Sequence, residues 1–337
     1  MMRRPFLATI AALGASAAAP AKPPPLPLSF VADLPLPGGP TRFDYQWIDT
    51  VNRRLYIAHL GDSSLVVFDL DTQRVIHEVP HLASVHGVVA APALHLVFAT
   101  ATADKALALI DDQSFEVKAR VPAGEYPNGL AVDPASKRVF VSNNKGKGVA
   151  VVDVTAAKAL PGIDIGGGAG NTQLDAGSGH ILAAVHGAGY LADIDPAKGA
   201  VAGRIALDKV STCHGLLVAS TIHLAFAACR GTAPVLAVVD LGPGHQMKRL
   251  PLPPEIDVLA FDPDLRRLYA AAETGMVVVF AVAADGTVTE LGRGVLAPSA
   301  HSVAVDPATH RVYFPLENVK GKPVLRVMEP SVGTASP

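Results

Sequence analysis

The stretch GLAVDPASKRVFVSNN (residues 129–144) recurs as VLAFDPDLRRLYAAAE (258–273) and as SVAVDPATHRVYFPLE (302–317). Each copy is an apolar run, a turn opened by Asp-Pro, and a second run centred on Phe or Tyr. Proline cannot donate to a strand ladder, and an aspartate before it accepts from the turn backbone, so the pair ends a strand. Alternating β-branched and aromatic residues on either side then describe a β-hairpin.

The aromatic centre of the second run can be followed along the whole chain, at Tyr56, Phe98, Phe140, Leu182, Phe226, Tyr269 and Tyr313, with intervals of 42, 42, 42, 44, 43 and 44 residues. After each anchor comes a third apolar run, such as LVVFDL (65–70) or VAVVDV (149–154), and then a more polar fourth, such as RVIHEVP (74–80) or EVKARVP (116–122). Four antiparallel strands in a unit of this length make one propeller blade. The last copy ends at its third run, VLRVM (324–328), while LSFVADLPL (28–36) stands unpaired at the other end of the chain. A terminal strand that completes the last blade would close the ring and remove two sheet edges. The expected fold is therefore all-β: a seven-bladed β-propeller of four-stranded antiparallel blades over residues 28–337, the last blade closed by the N-terminal strand.

Ahead of the repeats, Met1-Met2-Arg3-Arg4 followed by the apolar, alanine-rich stretch from Phe6 to Ala19 reads as a cleaved export signal over residues 1–21. The stretch is too short for a lasting membrane span, so no span is expected in the mature chain. Arg3-Arg4 also fits the core of a twin-arginine signal, and the ordinary secretory reading stands beside it. Residues 22–27 form a proline-rich linker for which no regular structure is expected. Export places the mature chain in the periplasm. A net charge of −2 with 5% aromatic residues gives no attraction to nucleic acid and no stacking platform for it.

The RVFVSNN unit (138–144) and the repeated Ala-Val-Asp-Pro turn resemble the YVTN-repeat, lactonase-like propeller family, over about the span 28–329. The resemblance implies a seven-bladed propeller. It also points to lactone hydrolysis or to lyase chemistry with a metal on the propeller, although the family includes members of no known activity.

Twelve residues before each anchor, where the innermost strand of a blade begins, stand Asp44, His86, Asn128, Gly170, His214, Asp257 and His301. Equivalent positions of a propeller converge on its axis, so these form a ring at one channel mouth, with Asn171 able to replace Gly170. Imidazole and carboxylate together suit a divalent ion, and His86, His214, His301, Asp44 and Asp257 are the expected ligands. The competing reading is a wet channel lining without function. A second layer, three or four residues after each anchor, supplies His59, Thr102, Asn144, His186, Arg230, Glu273 and Glu317. His86, His214, His301, Glu273 and Glu317 are candidates for acid–base catalysis. Asn128, Asn171, Arg230, His186 and His59 are candidates for substrate binding, Arg230 through a bidentate contact to an anion.

Cys213 and Cys229 flank the turn at residues 220–222 at equal distance, so they face each other across adjacent strands. In an exported protein a disulfide is the leading reading, with a thiol pair or soft metal ligands as alternatives. No G-x-S-x-G elbow or H-E-x-x-H helix is present. Two functions follow as expectations. One is a metal-assisted hydrolase or lyase acting on a small lactone-like substrate. The other is a non-catalytic cell-envelope propeller that binds a small ligand, a metal ion or a protein partner.

Overall fold

The computed structural model describes residues 23–207 and 212–331. The reading of residues 1–21 as an export signal lies outside the described residues. Seven four-stranded antiparallel sheets stand around one axis. Blades 1 to 6 occupy residues 46–79, 85–122, 127–164, 169–206, 212–251 and 256–295. Blade 7 is built from Ala304–Val305, Val312–Val319 and Lys322–Pro330, with Leu28–Pro35 as its outer strand.

The repeat works through its anchors. Tyr56, Phe98, Phe140, Phe226, Tyr269 and Tyr313 are fully buried and Leu182 nearly so. Each anchor packs across a blade interface, Tyr56 against Val97 and Ala99 of blade 2 and Phe98 against Val139 and Val141 of blade 3. The series runs on to Tyr313 of blade 7, which packs against Leu55 and Ile57 of blade 1. Seven apolar clusters thus correspond to seven interfaces. A near-constant spacing is what such packing demands, because one large ring must reach the same depth in every wedge between sheets. The Asp-Pro turns behave as their chemistry requires. Asp133 accepts from the backbone N–H groups of Ala135 and Ser136, and Asp262 from those of Asp264 and Leu265.

Closure is made by the pairing of Leu28–Pro35 with Lys322–Pro330, in a register that sets Asp33 opposite Arg326 and Leu34 opposite Leu325. Arg326 forks onto Asp33 at 2.7 Å through both nitrogens. Residues 23–27, expected to be an unstructured linker, lie along the outer strand of blade 6. Pro25 bridges to Arg293, whose N–H donates to the Pro24 carbonyl at 3.0 Å. Proline lacks a donor but keeps its carbonyl, so such a segment can cover a sheet edge without asking anything of it. Gly292 makes room, since a Cβ there would stand 2.1 Å from the Pro25 carbonyl oxygen.

On the opposite face from the ring, Arg53 of blade 1 forks onto the fully buried Asp306 of blade 7 at 2.7 and 2.8 Å. Burial works against the Asp306 charge, but the bonds from Arg53 and Thr309 outweigh it and hold its carboxyl below the usual carboxylate range. A lowered carboxylate pKa contributes stability that is complete above the unfolded value near 4 and is lost as pH falls through the folded value. Asp306→Asn should therefore cost about 1.5 kcal/mol at neutral pH, because it removes a charge-assisted fork while Arg53, partly exposed, keeps Asp71. In urea melts the difference between parent and variant should shrink below about pH 4; an unchanged midpoint at pH 7 would remove Arg53–Asp306 as a closing contact.

Candidate functional site

In five blades the ring position coincides with a break in the ladder between the first and second strands. The register shifts between Val85 and Val88, Pro127 and Leu130, Ala169 and Thr172, Cys213 and Gly215, and Ile256 and Val258. A bulge leaves one residue unpaired and re-aims its side chain. His86, Asn128, Gly170, His214 and Asp257 all fall within these bulges, while Asp44 and His301 precede their strands. The chain thus presents polar groups at one depth by interrupting its own hydrogen bonding there.

The ring encloses a cavity of about 290 Å³, lined by Asp44, His86, Asn128, His214 and Asp257 from the ring and by Asn144, His186, Arg230 and Glu273 from the second layer. Gly170 leaves no gap. A Cβ at that position would stand 3.1 Å from His186 Nε2, so the imidazole of His186 takes the place the glycine vacates.

Four expected site residues do not line this cavity. His301 was expected at an open, wet mouth, but it is 1% exposed and stands behind the cavity wall, against Glu273. Asn171 lines a narrower section of the channel, one step inward from the mouth. Glu317 is half-buried outside the cavity lining, near enough to feel His301, Arg42 and Glu273 electrostatically, and burial raises its carboxyl above the ordinary value. His59 is fully buried inside blade 1, stacked on Phe43 at 4.0 Å and bonded to the Thr41 hydroxyl at 3.0 Å. It stands three residues after its anchor where the other blades count four. A shift of one in a strand turns the side chain to the opposite face.

Other residues complete the wall: Arg42, Tyr126 and Thr212, each fourteen before an anchor, and Tyr45, eleven before one. Arg42 forks onto Glu273 at 2.8 and 3.0 Å, and Arg230 donates to Asp257 at 3.1 Å. Burial opposes ionisation of Glu273, but the Arg42 bond and the nearby His301 and Arg230 hold its carboxyl below the usual value. Asp44 goes the other way. Burial and the neighbouring Asp257 push its carboxyl well above the ordinary range, against the pull of Arg42.

The imidazoles are arranged as neutral bases. His86 donates from Nδ1 to the Ser84 carbonyl at 2.8 Å, which leaves Nε2 as a lone pair beside the Tyr126 hydroxyl at 3.4 Å. His214 stands between His186, at 3.2 Å from Nδ1, and the Tyr45 hydroxyl, at 3.3 Å from Nε2. Burial lowers the pKa of His86 and of His214, and burial with the nearby His214 and Arg230 lowers that of His186 to about 4.

Donor atoms of Asp257, Glu273 and His301 all lie within 4.8 Å of one another, a set of two carboxylates and one imidazole that suits a divalent ion. His301 donates from Nδ1 to the Ser299 carbonyl at 2.9 Å, and its Nε2 is buried without a hydrogen-bond partner among the described residues. Of the five ring residues expected as ligands, the structure brings only Asp257 and His301 into this group, joined by Glu273 from the second layer.

Cys213 and Cys229 stand opposite each other in the register of their strands and form a disulfide beside His214 and Arg230. Among the described residues, no helix is long and apolar enough to cross a membrane.

No family model matches the chain, and no curated protein matches its sequence. Among solved structures the chain is similar to Kuenenia stuttgartiensis hydrazine synthase, at 16% identity and a TM-score of 0.74, over 88% of this chain and 97% of that one. At that identity the likeness carries the fold alone, which is the seven-bladed propeller.

A buried imidazole with a lowered pKa leaves stability intact above the unfolded value near 6.5 and removes it as pH falls through the folded value. In chelator-treated protein, the NMR titration of His186 should centre near pH 4. Its replacement by Gln should flatten the loss of stability between pH 6.5 and 4. A His186 midpoint above 6 would mean that the cavity is solvated and its imidazoles cationic.

Proposed function

We propose that the mouth cavity is the site of a metal-assisted hydrolase or lyase, with a divalent ion held by Asp257, Glu273 and His301 and a small lactone-like substrate in the space above it. The observation that carries this reading is the convergence of two carboxylates and one imidazole from three residues, with His301 Nδ1 at 3.7 Å from Glu273. The ion would supply Lewis acidity, either polarising a carbonyl or acidifying a bound water. The chain's own groups would do the rest. His86 and His214, neutral at physiological pH, have lone pairs available to accept a proton. Asn128, His186 and Arg230 line the space where the substrate would be oriented. Glu317 stands behind the wall as a further candidate for acid–base work, its carboxyl raised above the ordinary value by burial. The resemblance to YVTN-repeat, lactonase-like propellers supports the substrate class, and the disulfide supports a periplasmic setting for an exported chain.

A second reading has its own observation. Arg42 and Arg230 already neutralise Glu273 and Asp257, so the cavity is electrostatically complete with protein groups alone. On this reading the propeller binds a small polar ligand or a protein partner and performs no chemistry.

Metal analysis separates the two. After incubation with zinc or manganese and desalting, the first reading expects about one ion per chain. Asp257→Asn and His301→Ala should each weaken binding by about 100-fold or more, since loss of an outer-shell partner alone costs about 10- to 100-fold, with circular dichroism confirming the fold. Chelator-sensitive opening of at least one compound in a lactone panel should accompany the ion. Protein that retains no ion and turns over no lactone would establish the binding platform instead.

A further inference from the structure

The opposite end of the channel has a different chemistry. Where the first hairpin turns converge, a cavity of about 510 Å³ opens to the other face of the propeller. Its walls are the far halves of the innermost strands of blades 2 to 5, with Trp47 from blade 1 and Phe261 from blade 6. No side chain lining it is ionisable, in a chain of which 17% of residues are charged. The mouth cavity, by contrast, has three carboxylic acids and two guanidinium groups in its wall. The volume falls in the range of small-molecule pockets, about 300 to 1,000 Å³, and such pockets are mostly apolar with a few convergent polar groups.

Those polar groups are present at the inner end. Trp47 and Gln173 line both this chamber and the narrower section of about 190 Å³ that continues towards the mouth. Neither the Trp47 indole N–H nor the Gln173 side-chain amide has a hydrogen-bond partner among the described residues. Ser220, at the rim, already accepts from the Ala176 backbone at 2.9 Å. A charged ligand would lose its hydration here with no counter-charge to replace it. An apolar molecule loses nothing on entry, and one polar group on it would find an amide and an indole donor at the end of its path.

We propose that this chamber is a second ligand site, for a small, uncharged, mainly apolar molecule carrying one hydrogen-bonding group, separate from the chemistry at the mouth. The chain contains one tryptophan, Trp47, which lines this chamber, so its fluorescence follows a probe that enters, and the wall variants below assign the site. The probe is N-phenyl-1-naphthylamine, an uncharged naphthalene with a single N–H. Titration should quench Trp47 emission saturably by energy transfer, with one probe bound per chain. Leu217→Glu, which places a charge in the wall, should weaken binding at least 10-fold. Ala93→Phe, at an exposed rim position where the fold is indifferent to size, should block entry even if the first variant is unstable. Ion loading at the mouth should be unchanged in both, so loss of probe binding and loss of the metal site are read separately. Emission that declines without saturation, or binding that survives both replacements, would overturn the proposal.

Discussion

The antiparallel pairing of Leu28–Pro35 with Lys322–Pro330 is the contact on which the rest depends. It joins segments almost 300 residues apart, and it leaves the chain at the position from which residues 36–45 cross to blade 1. That crossing carries Arg42, Asp44 and Tyr45 over the mouth, where Arg42 meets Glu273 of blade 6 and Tyr45 meets His214 of blade 5. Ring closure and cavity construction are therefore the same event. The apolar wedge around Tyr313, Leu55 and Ile57 and the Arg53–Asp306 fork at the opposite face hold the same seam.

Within the closed ring the channel is polarised. One end collects charge, with acids and guanidinium groups paired across blades, and its imidazoles are kept neutral by burial. The chamber at the other end is lined by no ionisable side chain. The difference follows from strand position. Innermost strands begin in bulges whose residues are freed from the ladder, then continue into regular pairing, where alternation with apolar neighbours is enforced by packing between blades. A propeller of this kind offers two chemically unlike chambers on a single axis.

The seven anchors and the closing strand were legible in the sequence because inter-blade packing repeats at a fixed period and tolerates little variation in size. The disulfide was legible because equal spacing about a hairpin turn defines opposite positions. The ring was legible as a position but not as an environment. Bulges at residues such as His214 and Asp257 leave no mark in composition, so depth and aim could not be read. His59 failed because a count of three rather than four after Tyr56 reverses the face. At Gly170 the sequence offered Asn171 as a replacement, because nothing in one strand tells that His186 of the next fills the place. Arg42 and Tyr126 share a register position with each other, two residues ahead of the ring, and that alignment was the available signal for them. The bidentate fork to Glu273 could not be found that way, since it joins blades 1 and 6 across the closed seam.

The most direct test of this account is removal of the closing strand. A chain lacking residues 23–35 should unfold without the single cooperative transition of the full chain, and should lose ion binding at Asp257, Glu273 and His301, although none of those residues has been touched. A shortened chain that melts as the full chain does, and still binds its ion, would contradict the claim that closure assembles the site.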